Sequence, residues 1–170
     1  MGKRVLVVVD MQKDFVDGSL GSKEAVSIVP AVVKKARDFD GTVLFTRDTH
    51  GEDYMETQEG KYLPVAHCIR GTEGWELIPE LEEMKDSRKA QCFDQPAFGS
   101  VALAEALRAM YEAGELGSVE LVGLGTDICV VSNALLIKAF MPELPVSVDA
   151  SCCAGVTPEK HAAALETMRS

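Results

Sequence analysis

Ser118-Val-Glu-Leu-Val-Gly-Leu-Gly-Thr-Asp-Ile-Cys-Val-Val131 reads as an apolar strand, a glycine-broken turn and the beginning of a helix, with Cys129 just past the turn. A cysteine there gains the unpaired amides of a first helical turn and the positive end of the helix dipole, which favour a thiolate and can hold a developing oxyanion. Gly123 and Gly125 permit a tight backbone ahead of Thr126 and Asp127, either of which can cap the helix. The alternative is an ordinary buried cysteine, a common fate for this residue.

Outward from this stretch, apolar β-branched runs alternate with segments of helical period. Strands are expected at Arg4 to Val9, Thr42 to Thr46, about Ala90 to Phe93, Val119 to Val122 and Val146 to Val148. Their near-continuous hydrophobicity suits a parallel sheet covered on both faces. Ile28, Val29, Val32, Val33 and Ala36 form one helical stripe, and Leu103, Ala104, Leu107 and Met110 another. A further helical stretch is expected around Ile78 to Met84, and the last helix opens with Thr157-Pro158, a cap followed by proline in the first turn. This is the rhythm of an α/β chain with a doubly wound, mostly parallel open sheet of five to six strands, in a single domain over residues 1 to 170.

Composition narrows the partners. Lys and Arg total 17 against 27 Asp and Glu, a net charge of −10, which argues against nucleic acid or an anionic membrane as partner and leaves a small-molecule substrate. No apolar run reaches the roughly 20 residues of a membrane span and no signal-peptide pattern opens the chain, so a cytoplasmic location is expected. Five cysteines, an odd count, do not form a disulfide framework, and all five are expected reduced.

Asp10, the pair Asp48 and His50, Gln95 and Cys129 each fall just past the carboxyl end of an expected strand. In open parallel sheets ligands bind along that edge, so separate motifs converge on one crevice. Asp10 can accept the thiol proton and return it to a leaving amine; alternatively it caps a turn. Asp48-Thr-His50 places two metal-competent side chains on one face of an extended backbone, and His67 can supply a third ligand, a set that suits zinc, iron or manganese. His161, on the terminal helix, reads as solvated surface. Residues 50 to 88 are the least regular part and form a long excursion of the kind that builds a site or lid.

The segments Val7-Val-Val-Asp-Met-Gln-Lys-Asp-Phe15, Thr46-Arg-Asp-Thr-His50, His67-Cys-Ile-Arg-Gly-Thr72, Gly123-Leu-Gly-Thr-Asp-Ile-Cys-Val130 and Asp149-Ala-Ser-Cys-Cys-Ala-Gly155 resemble, in order, the isochorismatase-like cysteine hydrolases, and among them the nicotinamidase-related branch. The resemblance implies about six strands, the last falling beyond Ser170. It also implies Asp10 as catalytic acid and base, Cys129 as the nucleophile of an acyl enzyme, and a divalent metal, zinc first with iron or manganese as alternatives, on Asp48, His50 and His67. By the same resemblance the metal holds the pyridine nitrogen of nicotinamide, the oxyanion hole lies at the amides of Gly125 and Cys129 beside a cis Leu124–Gly125 bond, Phe15 flanks the substrate, and the protein is a homo-oligomer. Phe15 read on its own is equally a core residue.

Two departures stand out. The family's catalytic lysine is replaced by Gln95, three residues before Phe98-Gly-Ser100, and Lys89 lies roughly 20 Å away at about 3.3 Å per extended residue. The tryptophan that nicotinamidases carry shortly before the metal histidine is also absent. The functions in view are a metal-containing hydrolase of a small amide, with nicotinamide to nicotinate plus ammonia first; a metal-free isochorismatase-like or other small-amide hydrolase; and a catalytically weakened binding homologue.

Overall fold

The computed structural model describes residues 2 to 170. Five strands, β1 (Lys3–Val9), β2 (Thr42–Asp48), β3 (Cys92–Gln95), β4 (Leu116–Leu124) and β5 (Val146–Ala154), form one sheet in the order β3-β2-β1-β4-β5. Every pairing is parallel. The expected strands are all present, with β2, β4 and β5 running further than their apolar runs and β3 starting later. The helices are α1 (Lys13–Val16), α2 (Lys23–Asp38), α3 (Gln58–Tyr62), α4 (Pro79–Ser87), α5 (Val101–Glu112), α6 (Val131–Phe140) and α7 (Pro158–Arg169).

The alternation of side chains along β1 divides the interior in two. Val5, Val7 and Val9 pack with Leu103 and Leu107 of α5 and Ala134 and Ile137 of α6. Leu6 and Val8 face the opposite way, onto Ala25, Ile28, Val32 and Ala36 of α2 and Leu81 of α4. These side chains are almost entirely removed from water, each worth roughly 1.5–3 kcal/mol for the large aliphatics. A central strand buried on both faces must be apolar throughout, which is why Val5 to Val9 shows no polar alternation.

Ser22, Ser100 and Thr157 cap α2, α5 and α7 by accepting from the amides of Ala25, Leu103 and Lys160. Between β2 and β3 the chain makes the expected excursion, stiffened by two 3-10 turns and the short helix α3. Among the described residues no helix is long and apolar enough to cross a membrane. All five cysteines are free.

Strand order reverses at β1. The chain moves outward through β2 and β3, then returns to the other side of β1 for β4 and β5. The carboxyl ends of β1 and β4 therefore flank the switch point, where a crevice opens in such sheets.

Candidate active site and metal centre

Asp10 follows β1 and Cys129 follows β4, so the two meet at the switch point. Asp10 is fully buried and turns the chain with a φ of 49°, a left-handed conformation that aspartate tolerates better than most residues. Its Oδ1 accepts from Thr46 Oγ1 at 2.6 Å, while Oδ2 has no partner of good hydrogen-bond geometry. The Cys129 thiol stands beside the carboxyl, close enough to interact with it. Burial, reinforced by the charge of Asp48, pushes the Asp10 carboxyl up to about 7, against the opposing hydrogen bonds of Cys129 and Thr46. Burial likewise pushes the Cys129 thiol far above its ordinary value, and Asp10, Asp48 and Glu59 push it in the same direction. At neutral pH the thiol therefore keeps its proton while the Asp10 carboxyl stands near the midpoint of its titration, ready to accept one.

The turn carrying Cys129 differs from the first helical turn expected from the sequence. Thr126–Val130 is a π-helical turn, with the amide of Val130 reaching back to the Gly125 carbonyl at 3.0 Å, and α6 begins only at Val131. Neither Thr126 nor Asp127 caps it. Thr126 Oγ1 instead bonds His161 Nδ1 at 2.7 Å, and Asp127 Oδ1 accepts from the Val156 amide at 3.2 Å. His161 is thus half-buried against the turn rather than solvated surface. The Leu124–Gly125 peptide is cis. Gly123 has a φ of 123° and lies so close to β1 that a Cβ would meet the Val9 carbonyl, which explains the glycine.

Gln95 ends β3, 3% exposed, in register with Asp48 of β2. Its Nε2 makes a long 3.4 Å bond to the Phe98 carbonyl and its Oε1 is buried without a partner. Gln95 Oε1 and Asp10 Oδ2 are the buried side-chain atoms left unpaired among the described residues, and both belong to the catalytic set read from the sequence. Unpaired buried oxygens are costly, and a substrate that donates hydrogen bonds satisfies them. Lys89 is exposed at the opposite end of β3 and does not replace the missing charge.

Asp48, His50 and His67 come together as expected, and a fourth donor, Glu59, joins them. Asp48 Oδ2 lies 3.0 Å from His50 Nε2 and 3.3 Å from His67 Nε2; Glu59 Oε2 lies 3.6 and 3.5 Å from the same nitrogens. Ligands at about 2.1 Å from one zinc in a tetrahedron are about 3.4 Å apart, so these spacings fit one small cation. Two imidazoles with two carboxylates suit zinc, iron or manganese. His67 Nδ1 faces the Val65 carbonyl at 2.8 Å, which leaves Nε2 for the cluster. Burial opposes ionisation of Asp48, but its bonds to both histidines outweigh this and hold the carboxyl below its usual range.

No spacing rule singles out Glu59 among the many acids of the excursion. Its place depends on Gly60, where a Cβ would collide with the Tyr54 carbonyl; without that side chain α3 seats closely and turns Glu59 inward. Glu59→Gln is expected to weaken zinc binding about tenfold, and so to remove about 1.4 kcal/mol of the stabilisation that saturating zinc confers. Thermal unfolding with and without zinc measures this; an undiminished zinc effect in the variant would exclude Glu59 as a ligand.

Phe15 is half-buried against the α2 side of the core, and its ring centroid lies 5.5 Å from that of His67. Trp75, well after His67 in the sequence, does not replace the absent tryptophan. It lies under the Arg47 guanidinium at 3.9 Å and bonds Thr49 Oγ1 through Nε1 at 2.9 Å, behind the Asp48–His50 segment. Two surface hollows, one lined by Lys13, Glu76 and Glu82 and the other by Arg4, Lys34 and Phe39, include none of these groups.

This edge belongs to an open α/β protein with a buried cysteine–carboxylate pair and an adjacent four-donor cluster. The isochorismatase domain family matches residues 4–170, and the chain belongs to that family. A nicotinamidase/pyrazinamidase from Mycobacterium tuberculosis is 28% identical over 182 residues, covering 98% of this chain and 95% of the relative. The crystal structure of nicotinamidase/pyrazinamidase PncA from Bacillus subtilis superposes with a TM-score of 0.85 at 25% identity, covering 99% and 95% of the two chains. The pyrazinamidase of Pyrococcus horikoshii, solved in complex with zinc, gives a TM-score of 0.78 at 28% identity, covering 98% and 94%.

Proposed function

We propose that this chain is a cysteine hydrolase of small amides, and that its reaction is conversion of nicotinamide to nicotinate and ammonia. The observation that carries the reading is the buried, unpartnered Oδ2 of Asp10 beside the Cys129 thiol. The similarity to nicotinamidase/pyrazinamidase relatives supports the substrate class.

In this mechanism the Asp10 carboxylate takes the thiol proton as Cys129 sulfur adds to the amide carbonyl. The amides of Gly125 and Cys129 receive the oxyanion. The intermediate collapses to a thioester while Asp10 returns its proton to the departing ammonia. Asp10 then takes a proton from water, whose oxygen attacks the thioester, and Cys129 leaves with a proton to restore the starting pair. Asp48, His50, Glu59 and His67 would hold a divalent ion whose Lewis acidity fixes a donor atom of the substrate beside Cys129. Phe15 supplies one apolar wall.

Gln95 favours a second reading, a homologue with weak or no turnover, because an amide donates a hydrogen bond but no charge. Alkylation of Cys129 is expected to be slow under either reading, since its pKa is raised. Released ammonia distinguishes them. Purified protein, alone and with zinc, iron or manganese, is expected to release ammonia from nicotinamide or pyrazinamide, and Cys129→Ala to release none. No release from a panel of small amides with metal bound would sink the hydrolase reading; release that survives Cys129→Ala would sink the nucleophile.

A further inference from the structure

We propose that Gln12 and Asp14 are positioning residues for the metal ligands, gripping the backbone of the two segments that carry them. The proposal rests on reading Asp48, His50, Glu59 and His67 as a metal site. It concerns a different question: what keeps donors from separate segments in register with one another and with Asp10.

Pairing between β1 and β2 ends at Val9 and Thr46, two residues short of Asp48. Beyond that point Asp48 presents an amide and a carbonyl towards a strand that has already turned away. Gln12 fills the gap. Its Oε1 accepts from the Asp48 amide at 2.8 Å and its Nε2 donates to the Asp48 carbonyl at 2.8 Å, so a primary amide stands where a peptide group of β1 would have been. The same Nε2 donates to the Trp75 carbonyl at 2.9 Å, using its second hydrogen. Gln12 is fully buried, and no other side chain of its size offers an acceptor and two donors in one plane.

Asp14 grips the second segment. Its Oδ2 accepts from the Cys68 amide at 2.8 Å. Cys68 follows His67 and has a φ of 49°, a left-handed conformation costing about 1–2 kcal/mol for such a residue. The bend persists because Asp14 holds its amide and the His50 amide holds its carbonyl at 2.9 Å. A Cβ on Gly74 would collide with the Asp14 carboxylate, so glycine is required there for the carboxylate to reach Cys68. Residues 10 to 15 thus present Asp10 to the thiol, Gln12 to Asp48, Asp14 to the residue after His67, and Phe15 to the His67 ring.

Groups that orient metal ligands typically contribute 10- to 100-fold in affinity. Zinc affinity is to be measured on purified, metal-free full-length protein by competition with a chromogenic chelator, for wild type, Asp48→Ala, Gln12→Met, Asp14→Ala and Asp14→Asn. Gln12→Met keeps the volume and removes the grip; it and Asp14→Ala are expected to bind zinc about 10- to 100-fold more weakly than wild type. Asp14→Asn retains an acceptor oxygen and is expected within about threefold of wild type, a rescue that general loosening of the fold would not give. Should Gln12→Met fail to fold, the Asp14 pair decides. Wild-type strength in Asp14→Ala, or equal loss in Asp14→Ala and Asp14→Asn, overturns the proposal. Wild-type strength in Asp48→Ala overturns the metal reading itself, and the proposal with it; normal dependence on Asp48 with no effect at Gln12 or Asp14 overturns the proposal alone.

Discussion

Asp10→Asn is expected to lower turnover by about 10²- to 10⁴-fold, the usual contribution of a general acid and base, while making the metal-free protein more stable at pH 8. The two effects share one cause. In the unfolded chain the carboxyl ionises near its ordinary 3.8, whereas burial and Asp48 raise it to about 7 in the fold. Between those values the folded protein binds a proton that the unfolded chain has released, so stability falls as pH rises through this window. The loss is complete above about pH 7, and three units correspond to about 4 kcal/mol. Well below 3.8 the carboxyl is neutral in both states and the asparagine gains nothing from charge. Urea unfolding of wild type and variant at about pH 3 and about pH 8 is therefore expected to show a gain of a few kcal/mol at the higher pH that vanishes at the lower. An equal difference at both values would mean that the Asp10 charge is not what the fold resists.

Gln95→Lys is expected to lower the pKa of Cys129 by about 1–3 units, as a nearby cation does for an acid. The groups that hold the thiol up are burial, Asp10, Asp48 and Glu59, all acting in one direction. A lysine at the end of β3 opposes three carboxylates and raises the thiolate fraction at pH 7 by about 10- to 1,000-fold. Intrinsic nucleophilicity falls as pKa falls, with an exponent of about 0.4–0.5, so the net gain in alkylation rate is about 3- to 60-fold. Turnover is expected to rise with it. Iodoacetamide kinetics against pH for both proteins, with ammonia release alongside, measures this. An unmoved inflection and unmoved turnover would show that the missing lysine is not what limits this site.

The glutamine also shows how far sequence and structure agree. Asp10, Gln95, Cys129 and the Asp48–His50 pair are legible because each follows an apolar run at the same end of a parallel strand, and a βα rhythm brings all such ends to one edge. His67 is legible only through its rarity among three histidines and the resemblance of its segment to a known family. Glu59 is not legible, since its role depends on α3 seating against Tyr54. The cap expected of Thr126 or Asp127 fails for a similar reason: a π-helical turn precedes α6, and both side chains are used by α7 and the segment before it.

What the sequence determined by itself is the five strands and the longer helices, the parallel pairing and which residues sit at the strand ends, because periods of 2 and 3.6 and the φ demands of glycine and proline act over a few neighbouring residues. What the tertiary structure decided is the strand order, the entry of Glu59 into the cluster, the grip of Gln12 and Asp14 on the ligand segments, and the proton balance of Asp10 and Cys129. The grip of Gln12 and Asp14 and the Asp10–Cys129 pair depend on contacts between residues 36 or more positions apart and on removal of charge from water, the entry of Glu59 depends on the close seating of Gly60 against Tyr54, and none of these is encoded in local pattern.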